Sequence, residues 1–269
     1  MTMEFFCEST KVMAHRGAPL EFPENTMPSF QRAMELGVDV IETDVHLTSD
    51  NQVVVIHDGY LDRVSNGKGK VSDYTLAELQ EFDAGYHFTM DNGATYPFRG
   101  KGLSFLSLDQ LLHAFPEQRF NIDLKDNSTR LVDGYLQVIQ KHDAAKRVCT
   151  ASRYGKNLKR VRWKNPQMAT AFSLWEIIGY YFLFRSGLLL LKKKFKGDAL
   201  QIPEYIGTSH IANGGLVRSA HERGLKVHVW TVNETKYIKR LLDIDVDGIF
   251  TDDPLMLKQI CREYDGRGA

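Results

Sequence analysis

Four short patterns in the sequence hold residue types that do acid, base and anion chemistry: His15-Arg16, Glu42-x-Asp44, His57-Asp58 and Asp123-x-Lys125. Two carboxylates two apart on a strand point to one face, so Glu42 and Asp44 would project together. A third carboxylate from a neighbouring strand, Asp123, completes an oxygen-rich set suited to Mg²⁺ or Ca²⁺ rather than to a soft metal. His15 and His57 titrate near neutrality and are the candidate general acid and base. Arg16 and Lys125 supply positive charge where a phosphate could be clamped. On spacing alone a structural ion network at strand ends competes with this reading. Isolated histidines such as His113, His142 and His221 read as surface or satisfied structural residues.

The elements that must position these residues alternate along the chain. Short β-rich runs are predicted at Val12–His15, Val38–Leu47, Val53–His57, Phe120–Lys125, Val148–Ser152, Met168–Phe172, Ala199–Ile202, Lys226–Val232 and Gly248–Thr251. Helical periodicity is predicted at Thr26–Leu36, Leu108–Ala114, Ser128–His142, Lys156–Trp163, Gly214–Arg223 and Glu234–Leu242. Alternation of this kind signals βα units around a parallel sheet. Nine strands is one more than a closed eightfold barrel needs, and the surplus is explained by a turn at Ser49-Asp-Asn-Gln52 that makes a hairpin of the second and third runs. Reflection about that turn predicts Asp44 opposite His57, with Glu42 on the same face. The charged patterns would then gather at the carboxyl ends of the strands, the mouth where barrel active sites lie.

The chain of 269 residues reads as a single domain over 1–269, with residues 59–102, rich in Gly, Asp and Tyr, as an insertion forming a lid or cap over one mouth. Lys plus Arg and Asp plus Glu are 34 each, so no global field advertises a nucleic-acid partner, and none is expected. The three cysteines, Cys7, Cys149 and Cys261, are too few and too far apart for a disulfide framework or a paired metal motif. The first ten residues have neither a basic stretch nor a long apolar one, which predicts a cytoplasmic location.

The ordered motifs Ala14-His-Arg-Gly17, Pro23-Glu-Asn-Thr26, Ile41-Glu-Thr-Asp-Val45, Leu47-Thr-x-Asp50, Val54-x-x-His-Asp58 and Arg63 closely resemble the glycerophosphodiester phosphodiesterase family. The similarity resumes at Asn121-Ile-Asp-Leu-Lys125, Val229-Trp-Thr-Val-Asn233 and Asp247-Gly-Ile-Phe-Thr-Asp252 and covers most of the chain. The resemblance implies an α/β fold, a TIM (β/α)8 barrel with a small insertion after the third strand. It implies divalent-metal hydrolysis of a glycerophosphodiester to glycerol 3-phosphate and an alcohol. Carried over by position, it suggests His15 and His57 as the acid/base pair and Glu42, Asp44 and Asp123 as ligands of Mg²⁺ or Ca²⁺. Arg16 and Lys125 would hold the phosphate and Trp230 would line the pocket. The third carboxylate is often Glu in this family, so the shorter Asp123 alters the reach to a metal. Asn25 reads as the N-cap of the helix that follows it. Phosphoinositide-specific phospholipase C and sphingomyelinase D share the two-histidine barrel logic but fit the ordered motifs less well. A catalytically inactive lipid-binding barrel is disfavoured by the complete set of ionisable residues.

Between Ala144 and Gly197 there are 13 basic residues against one acid, Glu176, and within that stretch Phe172–Leu191 is mostly apolar and is followed by Lys192-Lys-Lys-Phe-Lys196. The run is too interrupted for a membrane-crossing helix, and a crossover helix packed on the barrel is the plain reading. Its basic flanks favour peripheral contact of 172–196 with an anionic membrane. An apolar stretch after Phe172-Ser-Leu is also similar to the membrane-associated lysophospholipase D subgroup of the family, which implies a lysophospholipid as the alternative substrate.

Overall fold

The computed structural model describes residues 4–266. Its strands are β1 (Val12–His15), β2 (Val40–Leu47), β3 (Val53–Val55), β4 (Leu106–Ser107), β5 (Phe120–Leu124), β6 (Val148–Ala151), β7 (Ala169–Thr170), β8 (Ala199–Pro203), β9 (Tyr205–Ile206), β10 (Ser209–His210), β11 (Lys226–Trp230) and β12 (Gly248–Thr251). Eight of them run parallel in the order β7-β6-β5-β2-β1-β12-β11-β8. A parallel bridge from Ala171 to Ala199 joins the two ends and closes the barrel. The barrel strands are followed by α1 (Met27–Glu35), α3 (Leu108–Ala114), α4 (Thr129–Lys141), α5 (Gly155–Lys164), α6 (Leu174–Arg185), α7 (Gly214–His221), α8 (Thr235–Asp243) and α9 (Pro254–Asp265), while α2 (Leu76–Gln80) lies between β3 and β4. This is the α/β TIM-type barrel that the resemblance implies, assembled from the βα units that the alternation predicts.

The pleat sorts each barrel strand into two faces. On β5, Phe120, Ile122 and Leu124 pack outward in the main core with residues of the surrounding helices, such as Leu111 and Leu131. Asn121 and Asp123 therefore point into the barrel, and both line its cavity. Early strand residues Met13, Val40, Ala169 and Ala199 form a separate apolar cluster with Cys149, Phe250 and, from the N-terminal turn, Phe5 and Phe6. These rings stopper the end of the barrel away from the charged residues. Above them Gln201 donates to Asn121 at 2.6 Å. His228 is fully buried, and desolvation pushes its pKa down to about 4, so it belongs to this layer as a neutral ring.

Two expectations need correction. The β2–β3 register pairs Val45 with Val55, so Asp44 lies opposite Ile56 rather than His57. The turn closes with Thr48 N–H donating to Gln52 O, and Asn51 takes up a left-handed conformation (φ 61°), which centres the hairpin one half-step earlier than simple reflection does. Asn25 is not a helix cap: Thr26 holds that position and Asn25 is turned into the barrel mouth. Two helices fall outside the 3.6-residue periodicity: α6, which meets the plain reading of 172–191 as a crossover helix, and α9. α6 is apolar on every side and so has no 3.6-residue stripe. α9 starts at Asp253-Pro254, where Asp253 accepts from Met256 N–H at 2.9 Å. Among the described residues no helix is long and apolar enough to cross a membrane.

The segment between β3 and β4 has its own small core, in which Leu61, Val71, Leu79, Ala84 and Phe105 pack on Val54 and Ile56. It is tied to the β1–α1 loop by the Phe22–Phe98 ring contact at 5.5 Å and by a bidentate Arg63–Glu24 ion pair.

Helix and barrel are also joined by polar groups in the core. Tyr135 of α4 is fully buried and its hydroxyl lies 2.7 Å from Thr150 Oγ1 of β6. Tyr135→Phe should cost ~1–3 kcal/mol in chemical denaturation because the threonine hydroxyl is left buried without a partner. Adding Thr150→Val should recover most of that loss, and a double variant no better than the single one would show that the hydrogen bond is not the cause.

Candidate active site

All eight residues expected at the site line one cavity of about 290 Å³ at the carboxyl ends of the strands. His15 ends β1, Glu42 and Asp44 share the inward face of β2, Asp123 lies on β5 with Lys125 just beyond it, and Trp230 ends β11. The carboxylates of Glu42 and Asp44 are almost wholly buried. A larger concavity, about 800 Å³ between α4 and α5, has no such cluster; its charged pair is the Asp133–Lys164 bridge.

Backbone conformation places Arg16. It and Gly17 both have positive φ, 57° and 94°, so the chain turns sharply as it leaves β1 and Arg16 N–H donates to Glu42 O at 3.0 Å. Glycine is needed at 17, since a Cβ there would stand 2.7 Å from the Ser29 carbonyl carbon. Ser29 Oγ donates to Arg16 O and accepts from Ala18 N–H, holding both sides of the turn. Asn25 also has a positive φ; its carbonyl oxygen accepts from Thr43 Oγ1 at 2.7 Å while its amide nitrogen donates to Asp44 at 3.4 Å. Such conformations away from glycine cluster where a site dictates the backbone.

Each histidine is gripped at Nδ1 by its own aspartate: His15 by Asp252 and His57 by Asp58, both at 2.6 Å. Both aspartates are held below the usual carboxylate range: burial works against their charge, but Asp252 is hydrogen-bonded by His15 and Asn233, and Asp58 by Arg63 and His57. An ionised carboxylate only accepts, so Nδ1–H donates in both pairs and each Nε2 is left for the cavity. The two environments push the rings apart. Burial lowers the His15 pKa, yet Asp252 and Glu42 outweigh it and the net shift is upward. For His57 burial and the nearby Arg16 charge prevail over Asp44, and the net shift is downward.

The carboxylates outnumber the cations beside them. Lys125 Nζ lies 2.8 Å from Asp44 Oδ1 and 2.7 Å from Asp123 Oδ2, and Arg16 Nε lies 3.3 Å from Asp44 Oδ2. Burial opposes the Asp44 charge, but Lys125 and Arg16 together hold its carboxyl below the usual range. Glu42 has no such cation at contact distance. Burial, followed by the Asp44 charge, pushes its pKa up to about 8. Asp123 Oδ1 is buried without a hydrogen-bond partner. Among the described residues no three His, Cys, Asp or Glu side chains stand close enough to hold an ion as they lie, and the space between Asp44 and Asp123 is taken by the lysine.

The sequence reading named the groups facing the cavity and missed those behind them. Asp252, Asn233, Asp58, Arg63, Glu24 and Asn25 form the supporting layer: Arg63 bridges Asp58 and Glu24, and Glu24 reaches Arg16 at 3.0 Å. Their signals were present, since Asp58 follows His57 directly and Asp252 ends the last strand motif. His46, also unassigned, hydrogen-bonds to Asp126 through Nδ1 and donates from Nε2 to His57 O at 3.1 Å, which holds the loop that carries His57 beyond the end of β3.

A glycerophosphodiester phosphodiesterase of Caldanaerobacter subterraneus subsp. tengcongensis is 32% identical over 94% of this chain and 98% of its own. A mouse lysophospholipase D is 28% identical over 94% of this chain and 86% of its own. The structure of a phosphodiesterase from Oleispira antarctica, in complex with its product sn-glycerol 3-phosphate, superimposes with a TM-score of 0.77 at 22% identity, covering 94% of this chain and 97% of that one. Residues 15–256 match the glycerophosphoryl diester phosphodiesterase family, a span that takes in the whole constellation at the barrel mouth, and the chain belongs to that family of phosphoric diester hydrolases.

Proposed function

We propose that the barrel mouth hydrolyses glycerophosphodiesters such as glycerophosphocholine or glycerophosphoethanolamine, releasing glycerol 3-phosphate and the free alcohol. The observation that carries this is the pair of histidines, each fixed by its own aspartate, on one cavity that also holds Arg16 and Lys125. The phosphodiester monoanion is bound by the guanidinium of Arg16 and the ammonium of Lys125. One histidine accepts a proton at Nε2 from the attacking hydroxyl, either water, which gives glycerol 3-phosphate directly, or the neighbouring glycerol hydroxyl of the substrate, which gives a cyclic phosphate that water opens in a second step. The other gives its Nε2 proton to the departing alcohol oxygen. Trp230, nearly half exposed at the rim, supplies an apolar wall beside the substrate.

Glu42, Asp44 and Asp123 would hold a divalent cation, Mg²⁺ or Ca²⁺. Bound there, it would act as a Lewis acid on the phosphoryl oxygens. The residues fit such an ion: all three offer hard oxygen donors, Asp123 Oδ1 is buried without a partner, and Glu42 has no lysine or arginine at contact distance, only the His15 ring at 4.0 Å. A cation in this place competes with the ammonium of Lys125. A divalent ion there would favour the ionised form of Glu42; with all three carboxylates ionised and both cationic side chains counted, the loaded site would carry one positive charge, which a phosphodiester monoanion would neutralise.

A second reading is favoured by a groove. About 170 Å³ in volume, it shares Asp123, Ala151, Gln201 and Trp230 with the catalytic cavity and runs sideways past Ala171 and Phe172 to Leu174 and Ile177. Its apolar walls suit an acyl chain, so a lysophospholipid could be cleaved by the same groups to lysophosphatidic acid and headgroup alcohol.

Choline release from glycerophosphocholine and from lysophosphatidylcholine ranks the two substrates in one assay. His15→Ala and His57→Ala should each lower turnover of the preferred substrate by at least ~100-fold, the scale of a lost general acid or base. Near-wild-type turnover by either variant would remove that histidine from the mechanism, and no release from either substrate would point to another headgroup.

Activity needs one ring neutral and the other protonated, whichever role each plays, so kcat/KM should be bell-shaped in pH. The acid limb, set by His57, should lie below the ordinary histidine value of 6.5 and the alkaline limb, set by His15, above it. Asp252→Asn removes the charge that raises the His15 pKa, so the alkaline limb should move to lower pH. A limb that does not move would show that Asp252 does not control His15.

A further inference from the structure

The outer face of α6 and the turn after it differ from the rest of the surface. Trp175, Ile178 and Phe182 recur at helical spacing on α6, with Phe182 65% and Trp175 76% exposed. The face continues into the 3₁₀ turn Leu188–Leu191, where Leu190 and Leu191 are 79% and 83% exposed. Of fifteen exposed large hydrophobic side chains among the described residues, seven lie between 174 and 191, too many in one place to be chance scatter. Only Tyr180 of this helix is fully buried, so α6 keeps its place through one side and leaves the rest to solvent.

Charge identifies what covers it. Arg185, Lys192, Lys193, Lys194 and Lys196 are all exposed, and no acidic residue lies between Glu176 and Asp198. The neighbouring α5 adds exposed Lys156 and Lys159, and the turn before it adds Arg153. Exposed tryptophan, phenylalanine and leucine beside clustered lysines are the chemistry of an interfacial helix on an anionic bilayer. A second copy of this chain would bring the same positive charge against itself. Twelve residues of helix are too short to span a bilayer and long enough to lie in its headgroup layer.

The same helix lines the lateral groove. β7 is two residues long, and beyond it the chain turns into α6, so Leu174 and Ile177 of its first turns form the groove wall that leads to Asp123 and Trp230. We infer that α6 and Leu188–Leu191 form a docking face for an anionic membrane, which sets the lateral groove against the lipid so that an acyl-bearing phosphodiester enters from the side of the barrel rather than from solvent. The second half of this inference rests on the lysophospholipid reading above, and the docking face does not.

The test is co-sedimentation of the full chain with phosphatidylcholine vesicles and with phosphatidylcholine/phosphatidylglycerol vesicles, at low and high salt. Glycerophosphocholine turnover and light scattering are measured alongside. Binding is expected to the anionic vesicles only, and to weaken with salt. Reversing Lys192, Lys193 and Lys194 to Glu should weaken it on the order of 100-fold, from the usual contribution of each lysine near an anionic surface. Trp175→Glu with Phe182→Glu should abolish it, and both variants should keep the wild-type turnover of the soluble substrate. That unchanged turnover shows that fold and catalysis are intact, so loss of vesicle binding reports on the face alone. No binding by the wild-type protein, equal binding to both vesicle types, or a dimer in light scattering that both variants dissolve would overturn the docking face. Vesicle binding without turnover of any phosphodiester would leave the face standing and refute the proposed chemistry instead.

Discussion

Two carboxylates on one face of β2 are the constraint around which this barrel mouth is built. The pleat forces Glu42 and Asp44 to the same side, and closure of the barrel buries both. Unpaired, that charge would be too costly to keep. Lys125 and Arg16 converge on Asp44, Asn25 adds an amide, and Glu42 is left with its pKa pushed up to about 8. Glu42, held back from ionising for want of a lysine or arginine beside it, is where a hard divalent cation and then a phosphodiester would complete the balance.

The supporting structure follows from holding those groups in place. The sharp exit from β1 at Arg16 and Gly17 sends the guanidinium back over Asp44. Glu24 and Arg63 connect that turn to the segment between β3 and β4 and so to the Asp58–His57 pair. The segment is therefore bound into the site through charge, and its private core of Leu61, Val71 and Leu79 gives the ties a rigid base. On the opposite side of the mouth there is no comparable closure. β7 stops after two residues, and the wall there is made by the first turns of α6.

The cavity-facing residues were legible in the sequence because period-two alternation and strand ends have a fixed geometric meaning. Glu42-x-Asp44 shares a face by the pleat, and His15 and Lys125 lie at the mouth once the runs before them are strands, while Trp230 was legible only through the family resemblance. Asn25 was misread because asparagine favours both helix caps and left-handed turns, and local sequence does not separate the two. The hairpin register was missed by one residue for a similar reason, since the left-handed Asn51 shifts its centre. Asp252 stood at the end of a strand motif, but its partner is a long-range one: it meets His15 because β12 closes next to β1, a contact across 237 positions. α6 was invisible to periodicity because its apolar residues face outward as well as inward.

Whether the mouth takes a divalent cation can be measured directly by calorimetric titration of the protein with Mg²⁺ and with Ca²⁺. One divalent site that competes with Lys125 is expected, so that Lys125→Met binds at least as tightly as the wild type and Glu42→Gln loses the site. Absence of divalent binding in the wild type, or binding that Glu42→Gln leaves unchanged, would contradict it.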